Sequence, residues 1–311
     1  MGSGAPRNGP PPQGTSVLDS FSVVGAGALA EALVRSLTDL GMTCRGVFAR
    51  RLEKAQMLAD SLGVSTSGRV EQAASTASDL LLIVVTDEAV SEVASIIGRQ
   101  DVVLPVIALH TCGIHDYRVL EPLAGRGVET GSFHPLQTFT GPEDKTAFRG
   151  ITIGMDGSAR ALGAAQHLAV ELLAVSVSID PQKRALYHAA AVMAGNHAIT
   201  MLSTAGDLWE LAAGNRQSFV DSLGPLTRQS VFNALEKGPE SALTGPVVRG
   251  DVETIRRHLE ALSDYASHLL PMYGAVLTET VHLAMRSGRL APDSAVKLLD
   301  LVSEFLNREA S

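Results

Sequence analysis

Apolar positions along the chain follow two rhythms, and the change falls near residue 180. Before it, short apolar runs of strand length alternate with amphipathic stretches of helix length. Strands are predicted at 21–24, 43–49, 80–85, 103–110 and 128–133, with a weaker one near Val64 and two more at 150–154 and 175–179. Between them a helix starts at Leu29, whose face also carries Leu33, Leu37 and Leu40. Others are expected at 52–62 before Gly63, 88–97 before Gly98, 116–124 before Gly125, and 158–173. Glycine just past the last periodic residue is a common helix stop. Strands that are apolar throughout and separated by helices imply a mostly parallel, doubly wound sheet covered on both faces. After Asp180-Pro181 only helical periodicity remains, at 182–211, 219–235, 251–269, 271–287 and 292–308. The expected organisation is an α/β domain over 18–180 and an all-α C-terminal domain over 181–311. Residues 1–17, rich in Gly and Pro and without an apolar core, read as a flexible tail and not a signal peptide.

Between the first strand and the first helix stands Gly25-Ala26-Gly27-Ala28-Leu29-Ala30. A G-x-G-x-x-A turn in that setting is a dinucleotide-binding fingerprint. Gly25 permits the tight turn, Gly27 lets main chain approach a pyrophosphate, and Ala30 lets helix and strand pack closely. The free N–H groups of the helix start then face the phosphates. This makes the first domain a Rossmann domain, with residues 25–29 as cofactor contacts. The second strand ends in Arg50-Arg51, where an acid would bind a ribose 2′-hydroxyl. Two arginines suit a 2′-phosphate instead, so the expected cofactor is NADP(H).

Composition narrows the alternatives. With 45% hydrophobic and 19% charged residues the chain is globular, and its net charge of −8 disfavours nucleic acid or an anionic membrane as the main partner. An anion site must therefore be a local basic cluster. Cys44 and Cys112 lie far apart, without the spacing of a disulfide or metal framework, which fits a reduced, cytoplasmic setting. No apolar run is long enough to span a membrane.

Polar residues gather where strands end, which is where a parallel sheet binds ligands. Thr86, before Asp87, either contacts cofactor or caps a helix. His110 and Thr111, followed by Cys112-Gly113, suit the nicotinamide side of a cofactor or plain turn chemistry. His134, in Ser-Phe-His-Pro-Leu-Gln, is either a proton carrier or a buried histidine bonded to main chain. On the helix after residue 182, His188, Val192 and Asn196 share one stripe, and Tyr187, Ala191 and Ala194 another. His188 and Asn196 read as a catalytic pair or as structural capping between domains. In the loop Leu-Thr244-Gly-Pro-Val-Val-Arg249-Gly-Asp251, Arg249 is able to clamp a carboxylate or to pair with Asp251, itself a candidate N-cap.

Taken together, Gly25 to Ala30, the His134 segment, Tyr187 to Asn196 and the Thr244–Arg249 loop resemble a bacterial Rossmann-like family. Its C-terminal helical domain is of unknown function, within the group of ketopantoate reductase, pyrroline-5-carboxylate reductase and 6-phosphogluconate dehydrogenase. The likeness spans about residues 18–308. It implies an NADP-binding domain and a helical domain that dimerises. Many members of the group carry a Lys four residues before an Asn; with Asn196 as that Asn, Val192 stands at the lysine position. The proton must then come from His188, Lys183 or His134. The reading is an NADPH-dependent reductase of a small carbonyl or imine compound bearing a carboxylate. His188 or Lys183 is the acid, Asn196 the orienting group, and Arg249 with Thr244 the substrate contacts. The alternative is a non-catalytic NADP(H) sensor or partner-binding protein. An S-adenosylmethionine enzyme leaves Arg50-Arg51 without a purpose.

Overall fold

The computed structural model describes residues 18–141 and 146–309; the tail expected at 1–17 lies outside the described residues. The polypeptide divides into two compact units that meet in sequence between His197 and Ala198.

The first unit is built on eight strands: β1 (Ser20–Val24), β2 (Thr43–Phe48), β3 (Ser67–Gly68), β4 (Leu80–Ile83), β5 (Ile107–His110), β6 (Glu129–Pro135), β7 (Thr152–Gly157) and β8 (Val175–Ser178). Their order in one sheet is β3-β2-β1-β4-β5-β6-β7-β8. All neighbouring pairs are parallel except β6–β7. The crossover from β3 to β4 leaves a switch point beside β1, where such sheets hold ligands. Helices α1 (Ala28–Asp39), α2 (Leu52–Leu62), α3 (Val90–Gly98), α4 (Glu121–Ala124) and α5 (Ala159–Glu171) belong to this unit. α6 (Arg184–Val192) follows, and passes into a π-helical turn at Met193–His197.

Alternation along the strands explains why both faces are covered. Leu80 and Leu82 enter one core with Phe21, Val23, Leu33 and Leu37, while Leu81 and Ile83 enter the other with Val24, Phe48 and Ile97. Each such side chain, fully buried, contributes roughly 1.5–3 kcal/mol. Two expectations shift. The strand anticipated from Val103 begins only at Ile107, because Pro105 has no N–H for a ladder and Val103 is 94% exposed. The weak strand near Val64 is displaced to β3, two residues long.

The second unit is helical throughout: α7 (Ala198–Ala213), α8 (Phe219–Lys237), α9 (Pro239–Ala242), α10 (Val252–Tyr265), α11 (Leu270–Arg286) and α12 (Pro292–Glu309). Its core is formed by Ile255, Leu259, Leu262, Leu277, Val281, Leu298, Leu301 and Phe305 from the last three helices. By contrast, the 19-residue α8 buries none of its residues. Among the described residues no helix is long and apolar enough to cross a membrane.

Candidate cofactor cleft and histidine site

A cavity of about 780 Å³ opens at the C-terminal ends of the strands around the switch point, lined by Gly25, Ala26, Gly27, Ala28 and Leu29 of the glycine turn. Its size suits a cofactor. Gly25 holds φ at +137°, and a Cβ there would sit 1.9 Å from the Val84 carbonyl oxygen, so no other residue fits. Over Gly27 the space is open, with nothing within 4 Å of a built Cβ. Ala30 is fully buried, its methyl against the core. The main chain therefore offers a bare surface and the first amides of α1 to an anion.

Four basic side chains line the same cavity: Arg50, Arg51, Lys54 and Arg69, with Glu71 beside them. Arg51 is the N-cap residue of α2, and Lys54, three residues on, shares its face. Arg69 arrives from the turn after β3. Lys54 was legible as an i, i+3 neighbour of Arg51. Arg69 was not, since only the pairing of β2 with β3 brings it there. Phe139 also lines the cavity, from the loop after β6.

Thr86 and Thr111 line the cavity as well. Thr86 occupies an N-cap position, yet its side chain makes no capping bond. His110 does not reach the cavity, which corrects its assignment as a cofactor contact. It is fully buried, its Nδ1 takes the Cys112 amide at 3.2 Å, and burial with the nearby Arg184 charge lowers its pKa to about 3. Strand alternation turns His110 inward and the next residue, Thr111, outward.

Beside β5 and β6 a second constellation forms, and the antiparallel β6–β7 pair explains it. Ser132 lies opposite Asp156, and His134 opposite Gly154. α6 crosses these pairs with Arg184, Tyr187 and His188 at i, i+3 and i+4. Arg184, 2% exposed, donates from Nη1 to Ser132 Oγ (2.8 Å) and Asp156 Oδ2 (2.9 Å). Its Nε reaches the Gly113 carbonyl at 3.0 Å and its Nη2 the Cys112 carbonyl at 2.9 Å. The other Asp156 oxygen accepts the Tyr117 amide at 3.0 Å. The buried pair is thus hydrogen-bonded on both sides, as a buried charge requires.

One turn along α6 the Tyr187 hydroxyl lies 2.8 Å from His134 Nδ1. Gly154 makes room for it: a Cβ there would come within 2.2 Å of that hydroxyl. His188 packs against His134 edge to face, ring centroids 6.0 Å apart. Both rings crowd Gly113, whose Cβ would lie 2.5 Å from His188 Cδ2 and 2.9 Å from His134 Nε2. Burial, then the charge of Arg184, brings the His134 pKa down to about 4, and burial pushes the Tyr187 phenol up to about 12. Both are therefore neutral near pH 7. Cys112, alongside, is raised to about 12 by burial and by neighbouring Asp87.

The remaining candidates fall elsewhere. Lys183 is largely exposed and 3.8 Å from Asp180. Asn196 sits in the π-helical turn, where the wider turn breaks the stripe expected from His188 through Val192. In the second unit, Asp251 caps α10 through the Thr254 amide (3.1 Å). Arg249 is exposed, and Thr244 lines a separate apolar cavity of about 380 Å³ with His258 and Tyr273. Arg184, Asp156 and Ser132 were not singled out from sequence, and Tyr187 was placed only on a helix stripe, because nothing local announces the β6–β7 pairing.

Fold and cleft are those of an NAD(P)-binding, oxidoreductase-like protein. Residues 20–107 match the profile of the family described as NADP oxidoreductase coenzyme F420-dependent. Residues 151–280 match that of a domain of unknown function, DUF2520. The two matches fall on different parts of the chain, the first on the glycine turn and the strands around it, the second from β7 into the helical region. It is similar to a solved structure from Bacteroides fragilis provisionally assigned as an NADP oxidoreductase, at 25% identity and TM-score 0.68, covering 85% of this chain and 98% of that one. The fold is shared with a pyrroline-5-carboxylate reductase from Coxiella burnetii (14%, TM-score 0.54, 88% and 99% covered). An imine reductase from Myxococcus stipitatus, solved with NADP+, shares it too (17%, TM-score 0.51, 93% and 94%). Comparison with curated proteins gives no match.

Proposed function

We propose that the protein is an NADPH-dependent reductase of a small carbonyl or imine compound. The observation that carries this reading is the bare glycine turn in one cavity with Arg50, Arg51, Lys54 and Arg69. The turn and the first amides of α1 would hold the pyrophosphate, and the four cations the 2′-phosphate. When bound, a dihydronicotinamide supplies hydride. Thr86 and Thr111 line the cavity on the side of β4 and β5, and Thr111 directly precedes Cys112 and Gly113 of the histidine site. A neutral, hydrogen-bonded His134 suits proton transfer better there than Lys183, which solvent surrounds.

A titration tests the cofactor first, following Trp209 fluorescence or the nicotinamide emission. Each charge-assisted contact is worth about 1.5–3 kcal/mol, so NADPH should bind at least about tenfold more tightly than NADH. Arg69→Ala or a joint Arg50→Ala/Arg51→Ala change should erase most of that preference. Equal affinities for the two nucleotides would remove the 2′-phosphate reading, and binding of neither would remove the reductase. A screen of 2-oxo acids and cyclic imines then addresses turnover, and tight NADPH binding without turnover is the mark of a sensor.

A further inference from the structure

We propose that Tyr187 and His134 act as a proton-delivery couple: the Tyr187 hydroxyl fixes His134 as the Nε2–H tautomer and replaces the proton that Nε2 gives to the substrate. This rests on the reductase reading and names its acid. A phenol is the better donor and an imidazole nitrogen the better acceptor, so across the 2.8 Å contact Tyr187 donates to Nδ1. The ring proton is left on Nε2, and among the described residues no group hydrogen-bonds to that nitrogen. Tautomer choice by the partner of the other ring nitrogen is general for histidine.

The geometry serves this arrangement at three further points. Gly154 gives up its side chain to the Tyr187 hydroxyl and Gly113 gives up its own to the two imidazoles. Arg184, locked by four hydrogen bonds, carries its guanidinium 5.4 Å from the Tyr187 ring centroid. As hydride adds to a carbonyl carbon, the π pair moves to oxygen and that oxygen takes the Nε2 proton. The Tyr187 proton passes to Nδ1, so no imidazolate forms. The phenolate ring left behind lies beneath the Arg184 cation; when Nε2 takes a proton from water, Nδ1 returns its own to the phenolate and the starting tautomer is restored. Charged and titratable groups around His134 are Arg184 and His188, which oppose a second proton on the ring, and Asp87, which favours one. His188 packs edge to face on the His134 ring, its Cδ2 against Gly113.

Two measurements on the full-length protein test the couple. Long-range ¹H–¹⁵N spectra of the histidine rings should show His134 as one Nε2–H tautomer from pH 6 to 8, and Tyr187→Phe should convert it to a mixture. Second, rates on a ketone are compared with rates on an N,N-dialkylated iminium ion, which accepts hydride and needs no proton. The ratio of ketone to iminium rate should fall about 10²-fold in Tyr187→Phe and in His134→Gln. A merely structural role would lower both rates together, and that result overturns the proposal. A wild type that reduces ketones while His134 rests as Nδ1–H overturns the couple alone. A wild type that reduces neither compound overturns the reductase reading and the proton transfer with it.

Discussion

At the residue scale, the cleft depends on atoms that are missing. Gly25 combines a left-handed φ with a carbonyl oxygen 1.9 Å from any added Cβ, and the neighbour is main chain that cannot rotate away. Gly25→Ala should therefore abolish nucleotide binding and lower stability by at least about 1–3 kcal/mol. Calorimetric titration with NADPH and a urea unfolding curve would check both, and retained binding would contradict the cradle. Gly113 and Gly154 apply the same economy to the histidine site. Sequence identified the first glycine by its motif. The other two gain meaning only once Tyr187, His134 and His188 stand over them.

At the element scale, one buried ion pair sets where α6 begins. Arg184 ties that helix to β6, β7 and the loop after β5. Replacing it with methionine leaves Asp156, 3% exposed, as an uncompensated buried charge. The expected cost is about 3–5 kcal/mol. Changing both partners, as Arg184→Met/Asp156→Asn, should recover part of it, because the orphaned charge is gone. Chemical denaturation of the three variants measures the difference, and additive losses in the double variant would exclude a coupled pair. The π-helical turn that follows is a second decision at this scale: it places Asn196 outside the α-helical stripe that spacing alone predicts.

On the scale of the whole molecule, two properties follow. His110 and His134 have pKa values lowered to about 3 and about 4, against 6.5 for an ordinary imidazole. Below about pH 6.5 the unfolded chain binds protons at both rings while the folded chain does not. Stability therefore falls as pH drops from there, by up to ~1.4 kcal/mol per pH unit for each ring. This contribution stops changing only below about pH 4 for His134 and about pH 3 for His110. Urea midpoints between pH 7.5 and 5 should decline accordingly, and a flat profile would show that neither ring is shielded. The second is an expectation, the association of the helical regions. α8 buries no residue, and Phe232 (57% exposed) and Leu235 (80%) stand with Val231 on its surface. The dimer that the family resemblance implies would cover this helix. Leu235→Glu with Phe232→Glu should shift sedimentation from dimer to monomer, and a wild type that sediments as a monomer would refute it.

What the sequence by itself determined is what local physics encodes. Apolar period separates strands from helices, and the glycine turn and Arg50-Arg51 announce an anion-binding cleft through rules that act over a few residues. The beginning of the helical region near 180 is legible for the same reason. Tertiary structure alone decided that β7 runs antiparallel to β6, and hence that Ser132, Asp156 and Arg184 meet. It also decided that His110 is sealed inside while Thr111 faces the cavity, and that Tyr187 is the partner of His134. The contacts among Ser132, Asp156 and Arg184 and between Tyr187 and His134 join residues 24 to 53 positions apart. Contacts at such separation are set by strand register and helix placement, which no short window of sequence contains.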